Sequence, residues 1–322
     1  MCKKFFTANS YLRYGHEPTR TIKKYRITSP CLCVFVCNIF LLISCSRQAA
    51  QDGLLLAVSI PPQKWFISQI AGDKARVIVL AGQGQNPHNY EPSPKQIQSL
   101  TSAGAWILSG AEFEISLLPK VAAIFPNLLI IDGTEGVKFR TLEEHDHDEY
   151  GHDDEHSSLE IDRHTWFGRE PAKILAAHTR DALSLIDNAN EEYYNEKCET
   201  LMRLIDDEFD RLKIELAPLE GKSVFVYHPS FGYFLDEFGI FQEAVEEGGK
   251  EPSPRQLNNL LAKLNEERPA AIFVQAQFPV NAAKTLAASA GAQLIDLDPL
   301  AENWLENIRL MGQTLSRTGR TP

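Results

Sequence analysis

The stretch Glu91-Pro92-Ser93-Pro94-Lys95-Gln96-Ile97 returns 160 positions later as Glu251-Pro252-Ser253-Pro254-Arg255-Gln256-Leu257. Each copy is a phrase for starting a helix. Serine caps the free N–H groups of the first turn, and the proline after it fits a position where its missing donor costs nothing. Such a phrase can be reused by chance. Five of the seven positions are identical and the other two are conservatively changed, and one copy lies in each half, which favours two lobes built on the same plan.

Around each copy, short apolar runs alternate with helical stretches. The first half contains LLLAV (54–58), RVIVL (76–80), AWIL (105–108) and LLIID (128–132), with a helix opened by Pro61 and Pro62 that carries Trp65, Phe66 and Ile70. The second half contains SVFVY (223–227), AIFVQ (271–275) and QLIDL (293–297), with helices expected from about 231, over 253–267 and from Asn281. Apolar strands alternating with helices imply mostly parallel sheets covered on both faces, hence an α/β fold in each lobe. From Asn188 to Ala217 no Gly or Pro interrupts a polar stretch in which Leu201, Leu204, Ile205, Phe209, Leu212 and Leu216 recur at helical spacing. At 1.5 Å per residue this helix spans roughly 40 Å and limits how far two lobes can hinge. The expected organisation is a leader over 1–44, a first lobe over 45–187, the linking helix over 188–217 and a second lobe over 218–322.

The leader has its own chemistry. CLCVFVCNIFLLIS (31–44) follows Lys23, Lys24 and Arg26, and ends at Leu42-Ile43-Ser44-Cys45. A basic stretch, a short apolar core and a small residue before a processing point describe an export signal, and the run is short for a span of roughly 20 residues. The processing point looks like that of bacterial lipoproteins, with Cys45 as the lipidated new N-terminus. Residues 1–44 hold seven basic residues and one acidic residue. Without them the formal net charge moves from −11 to −17, and Cys198 is the one cysteine beyond Cys45. This excludes an intramolecular disulfide and a cysteine metal site in the exported part. An acidic chain repels phosphate backbones, so nucleic acid is a poor partner. The charge is compatible with cation capture, but taken alone it reads first as plain solubility.

The histidines fall into two groups. His145, His147, His152 and His156 stand with eight carboxylates inside residues 143–156. Such tracts gather divalent metals weakly and without fixed geometry. His88, His164 and His228 are scattered, in NPHNYEP, DRHTW and VYHPSFGYF, each in a loop or strand-to-helix turn. Ligands in open α/β sheets collect outside the carboxyl ends of strands, which places His88 at the mouth of one lobe and His228 at the mouth of the other. Taken singly, a histidine is more often a hydrogen-bonded structural residue. The spacings of 76 and 64 match no local metal motif.

The phrases NPHNYEPSP (86–94), DRHTW (162–166), VYHPSFGYF (226–234), EEGGKEPSPRQL (246–257), FVQAQF (273–278) and LDPL (297–300) resemble, in order, those of the zinc/manganese solute-binding proteins of ABC transporters, and most of all the periplasmic zinc-binding branch. The resemblance implies two α/β lobes joined by one rigid helix, with Zn(II) as the transported ligand held in the cleft by His88, His164 and His228. It implies Asp298 as a fourth ligand or, where that Asp stands off as in zinc members, water or a nearby carboxylate, with Glu91 the other carboxylate candidate. The implied partners are an ABC permease and its ATPase, reached by a monomer anchored to the membrane through Cys45, in the periplasm or on the outer face of the cell membrane. Imidazoles suit Zn(II), whereas a carboxylate-rich shell suits Mn(II), whose binders resemble one another in having Glu where His228 stands. Two departures stand out. Arg163 replaces a usual Pro, bringing positive charge near the cation or a salt bridge to Asp162, and Phe231 replaces a common Trp. A manganese-binding homologue, a zinc hydrolase with Glu91 as base, and a surface adhesin or metal reservoir are the rival readings. No H-E-x-x-H supports the hydrolase.

Overall fold

A computed structural model describes residues 53–142, 161–246, 252–278 and 281–318. The expected leader, Cys45 and the histidines at 145, 147, 152 and 156 lie outside the described residues.

The first lobe begins with β1 (Leu54–Val58), α1 (Pro61–Ala71) and β2 (Ala75–Val79), followed by α2 (Pro94–Ser99), β3 (Ala105–Leu108), α3 (Glu112–Ile124) and β4 (Leu129–Asp132). Then come α4 (Arg169–Ile186) and the long α5 (Glu191–Leu216). The second lobe contains β5 (Ser223–Val226), α6 (Gly232–Asp236), β6 (Phe241–Ala244), α7 (Pro254–Glu267), β7 (Ala271–Val274), α8 (Asn281–Ala290), β8 (Gln293–Asp296) and α9 (Trp304–Thr318). The sheets run β2-β1-β3-β4 and β6-β5-β7-β8, parallel throughout. The expected two-lobe α/β fold is therefore present.

The echoed phrase marks the same joint in both lobes: α2 follows β2 and precedes β3, and α7 follows β6 and precedes β7. Both helices start with a reciprocal capping box. Ser93 Oγ accepts from Gln96 N while Ser93 N donates to Gln96 Oε1, and Ser253 and Gln256 repeat the exchange. In each sheet the chain leaves the first strand in one direction and then returns past it. The crevice at the carboxyl ends of β1 and β3, and of β5 and β7, is therefore where loops diverge and a ligand can enter.

Side chains alternate between the faces of the strands. Leu56, Val58, Ala105 and Ile107 face one core with α1, α4 and α5, while Ala57, Trp106 and Leu108 face the outer layer with Phe113, Leu117 and Val121 of α3. In the second lobe Val226 and Phe273 join the inner core, and Phe225, Ile272 and Val274 pack with Leu264, Ala283 and Leu286 of α7 and α8. The inner core is one body shared by both lobes. Tyr194, Cys198, Leu201, Ile205, Phe209, Leu212 and Leu216 form the buried stripe of α5. The last helix returns to it: Trp304 of α9 packs on Trp65 and Phe66 of α1. Buried Gly312 leaves no room for a Cβ against Leu212 of α5. The long helix is thus clamped along its length rather than bridging free solvent, which stiffens the pair of lobes. Among the described residues no helix is long and apolar enough to cross a membrane.

Candidate metal centre

His88 sits in the loop from β2 to α2, and that loop is pinned at both ends. Asn86 Oδ1 accepts from His88 N at 3.0 Å, an Asx turn that Pro87 leaves intact. Beyond it, Tyr90 Oη and Gln96 Nε2 both donate to the carbonyl of Leu80 at the end of β2. His228 follows β5 after Tyr227. The buried amide of Gln275, at the end of β7, donates to His228 O and accepts from His228 N, both at 3.1 Å, tying the two loops at the crevice. His164 precedes a 3-10 turn over Thr165–Phe167. Asp162 Oδ1 accepts from its backbone N–H at 2.9 Å, and Trp166 Nε1 reaches Pro299 O across the cleft.

The three rings meet edge to edge. His228 Nε2 lies 2.9 Å from His88 Nε2 and 3.2 Å from His164 Nε2. One ligand atom from each residue falls within 4.8 Å of the others. An ion bonded to imidazoles at about 2.0–2.1 Å in a tetrahedral shell holds their nitrogens about 3.3 Å apart, close to what is seen.

Each outer nitrogen meets a carboxylate. His228 Nδ1 lies 2.5 Å from Glu246 Oε1, His164 Nδ1 2.8 Å from Asp162 Oδ1, and His88 Nδ1 3.1 Å from Glu112 Oε2. A carboxylate accepts only, so each ring keeps its proton on Nδ1 and turns its Nε2 lone pair inward. Three converging lone pairs repel one another and attract a cation. Burial, reinforced by the positive charge the other two rings can carry, holds the His228 pKa well below 6.5, so this ring is a neutral ligand at neutral pH. Burial alone would raise the carboxyls of Glu112 and Asp162. Hydrogen bonds and charge from His88, and from His164 and Arg140, reverse that and keep them low. Phe278 stacks on the His228 ring with centroids 4.2 Å apart, and Pro87, Trp166, Pro299 and Leu300 complete an apolar wall.

The family model described as the periplasmic zinc-uptake complex component A, ZnuA, matches residues 56–318. The chain belongs to the ZnuA family. A crystal structure of ZnuA superposes with a TM-score of 0.76 at 31% identity, covering 83% of this chain and 99% of that one. A ZnuA deletion mutant with zinc bound gives a TM-score of 0.76 at 29% identity, covering 84% and 100%. The zinc-binding lipoprotein AdcA of Streptococcus pneumoniae is 27% identical over 313 residues, which is 88% of this chain and 60% of AdcA. The chain thus spans about 60% of the length of that relative. By these names the family is that of a zinc-uptake complex component, and AdcA is a zinc-binding lipoprotein.

The structure brings His88, His164 and His228 together and leaves two expected carboxylates outside. Asp298 is not in the group of converging ligand atoms. Its Oδ1 accepts from Gln277 Nε2 at 2.8 Å and from Leu300 N at 2.9 Å, the work of a loop-holding residue. Glu91 is exposed. The expected pairing of Arg163 with Asp162 is replaced: Asp162 is held by Arg140, and Arg163 donates to Gly110 O at 3.0 Å with Glu112 Oε1 3.9 Å away. Phe231, at the common Trp position, is buried against Phe167. The carboxylates on the Nδ1 side escaped the sequence reading. Asp162 carried a signal, two positions before a histidine, whereas Glu112 and Glu246 lie far from their rings in sequence.

Proposed function

We propose that this protein captures Zn(II) between its lobes through Nε2 of His88, His164 and His228 and delivers it to an ABC permease driven by its ATPase. The observation that supports this most directly is the convergence of three Nε2 atoms, each set by a carboxylate on Nδ1. That pairing fixes the tautomer and makes the imidazole a stronger donor. An all-nitrogen set with an apolar wall favours zinc over manganese, which prefers oxygen ligands. A water or a carboxylate oxygen fills the fourth position, with Asp298 in a supporting role. The rival hydrolase needs a base beside the metal-bound water. Glu91 is exposed, and Glu112 is engaged by His88.

The protein acts outside the cytoplasm as a monomer, held to the membrane by a lipid on Cys45 after removal of 1–44. The segment 143–156 gathers zinc through His145, His147, His152 and His156 without holding it tightly. Isothermal titration of zinc into the wild type, the three single His→Ala variants and a 143–156 deletion tests the assignment. Each alanine is expected to weaken tight binding by more than about 100-fold, beyond what losing a supporting carboxylate costs. The deletion should leave the tight site intact. The reverse ranking would make the segment the principal site. Hydrolysis of ester, phosphate or amide substrates by the zinc-loaded protein, lost in Glu91→Gln, would replace the transport reading.

A further inference from the structure

Outside the imidazoles, a chain of charges ties His164 to the opposite lobe. Arg140 and Asp162 lie on neighbouring passes of the chain, joined by the Thr141–Ile161 bridge and by Asp162 N donating to Arg140 O at 3.0 Å. Arg140 Nη1 donates to Asp162 Oδ2 at 2.7 Å. The other oxygen of Asp162 takes both N–H groups of His164, backbone and ring. From its far side, Arg140 Nε donates to Asp236 Oδ2 at 2.9 Å, and Arg140 N donates to Tyr233 Oη at 3.0 Å. Tyr233 Oη in turn donates to Asp162 O at 3.0 Å. Tyr233 and Asp236 belong to α6, the helix that follows His228 in the second lobe. The fit is close: a Cβ on Gly232, at the start of α6, would lie 1.7 Å from Arg140 Nη1, so the guanidinium rests on bare backbone.

We propose that Arg140 is a positioning residue for metal capture, a reading that rests on the three-histidine site. It has two effects. By occupying Oδ2 of a fully buried carboxylate, it leaves Oδ1 to His164 alone, which fixes the ring with Nδ1 protonated and Nε2 facing the cluster. By gripping α6 at the same time, it sets the distance between His164 of one lobe and His228 of the other. Only a planar fork with several donors can hold two carboxylates in fixed directions, and a lysine ammonium cannot. Arg140 thereby converts the relative position of the lobes into the geometry of the cation site.

The test uses the purified protein and its Arg140→Gln, Arg140→Lys, Asp236→Asn and His164→Ala variants. Zinc affinity is measured by competition with a chromophoric chelator, zinc release by stopped flow, and the His164 tautomer by ¹⁵N NMR of the metal-free protein. Arg140→Gln is expected to lower affinity about 10- to 100-fold, the range for losing an outer partner of a metal ligand, and to replace the single Nδ1–H tautomer by a mixture. Arg140→Lys should be intermediate in affinity. Asp236→Asn, at a half-exposed position that tolerates change, should release zinc faster with its fold intact. If Arg140→Gln does not fold, the other two variants decide. Wild-type affinity and release in both Arg140→Lys and Asp236→Asn, or a single Nδ1–H tautomer with wild-type affinity in Arg140→Gln, overturns the proposal. His164→Ala separates the two layers: tight zinc binding that survives it removes the metal reading itself, whereas its loss beside unaffected Arg140 variants removes only the role of Arg140.

Discussion

Replacing Glu246 by Gln alters the site by a single charge. Glu246 is 3% exposed and its Oε1 lies 2.5 Å from Nδ1 of His228. The amide oxygen of Gln has the same reach and still accepts the Nδ1 proton, so the tautomer is kept and the cluster is undisturbed in shape. What changes is the strength of that bond. A hydrogen bond to a charged group contributes about 1.5–3 kcal/mol and a neutral one about 1 kcal/mol, so the exchange removes about 0.5–2 kcal/mol. The bond is present with and without zinc, and only the part that strengthens when zinc polarises the ring counts toward affinity; with 1.4 kcal/mol to a factor of ten, this sets an upper bound of roughly 30-fold. The dication also loses a negative charge one imidazole away, which moves the expectation to about tenfold or more, within the range for losing an outer carboxylate. Stability should move the other way. A neutral amide is easier to bury than a carboxylate, so the metal-free variant should melt at the wild-type temperature or above. The assay is a chelator competition at neutral pH paired with thermal unfolding of metal-free protein. Zinc affinity within twofold of wild type would refute the claim that carboxylates on the Nδ1 side tune the ligands.

Asp298→Asn should change zinc affinity by less than about threefold, since Asp298 holds Gln277 and Leu300 N rather than the cluster; a loss above 100-fold in the same titration would restore it as a ligand. Acid should destabilise the metal-free protein and release zinc together. The folded pKa of His228 lies well below 6.5, so stability is full above pH 6.5 and falls below it, where the unfolded chain binds the proton first, until the folded pKa is passed. Zinc release follows the same direction, because a protonated imidazole has no lone pair to give; affinity constant from pH 8 to 5 would contradict a histidine shell. Gly232→Ala should lower the unfolding free energy by about 1–3 kcal/mol, because its Cβ displaces Arg140; a melting temperature equal to wild type would show that the guanidinium moves aside freely.

The elements differ in how plainly the sequence encodes them. The strands buried on both faces were legible, since AWIL and AIFV have no polar side to confuse the reading. The edge strand β6 was not: FQEA alternates, with Phe241 exposed and Glu243 buried against Lys263, the reverse of the usual sense. α3 was also passed over, because Pro119 stands inside it and reads as a breaker. The echoed EPSP phrase was informative because a capping box is a local device whose atoms all lie within four residues.

The three histidines show where sequence and tertiary structure divide the work. Residue types, loop positions and a family resemblance named His88, His164 and His228, and these are properties a linear chain displays. Which atoms converge, which nitrogen keeps its proton and whether Asp298 takes part depend on separations of 64 and 140 residues in the chain closed to about 3 Å in space. Two sheets, one shared core and a clamped helix set those distances. Of the carboxylates that orient the rings, Asp162 stands two positions before His164, whereas Glu112 of α3 and Glu246 after β6 lie far from their rings, and sequence order carries no trace of those two meetings. Local physics determined where the helices start and where the metal-ligating side chains stand. The packing of two lobes on one core decided that they form a single site.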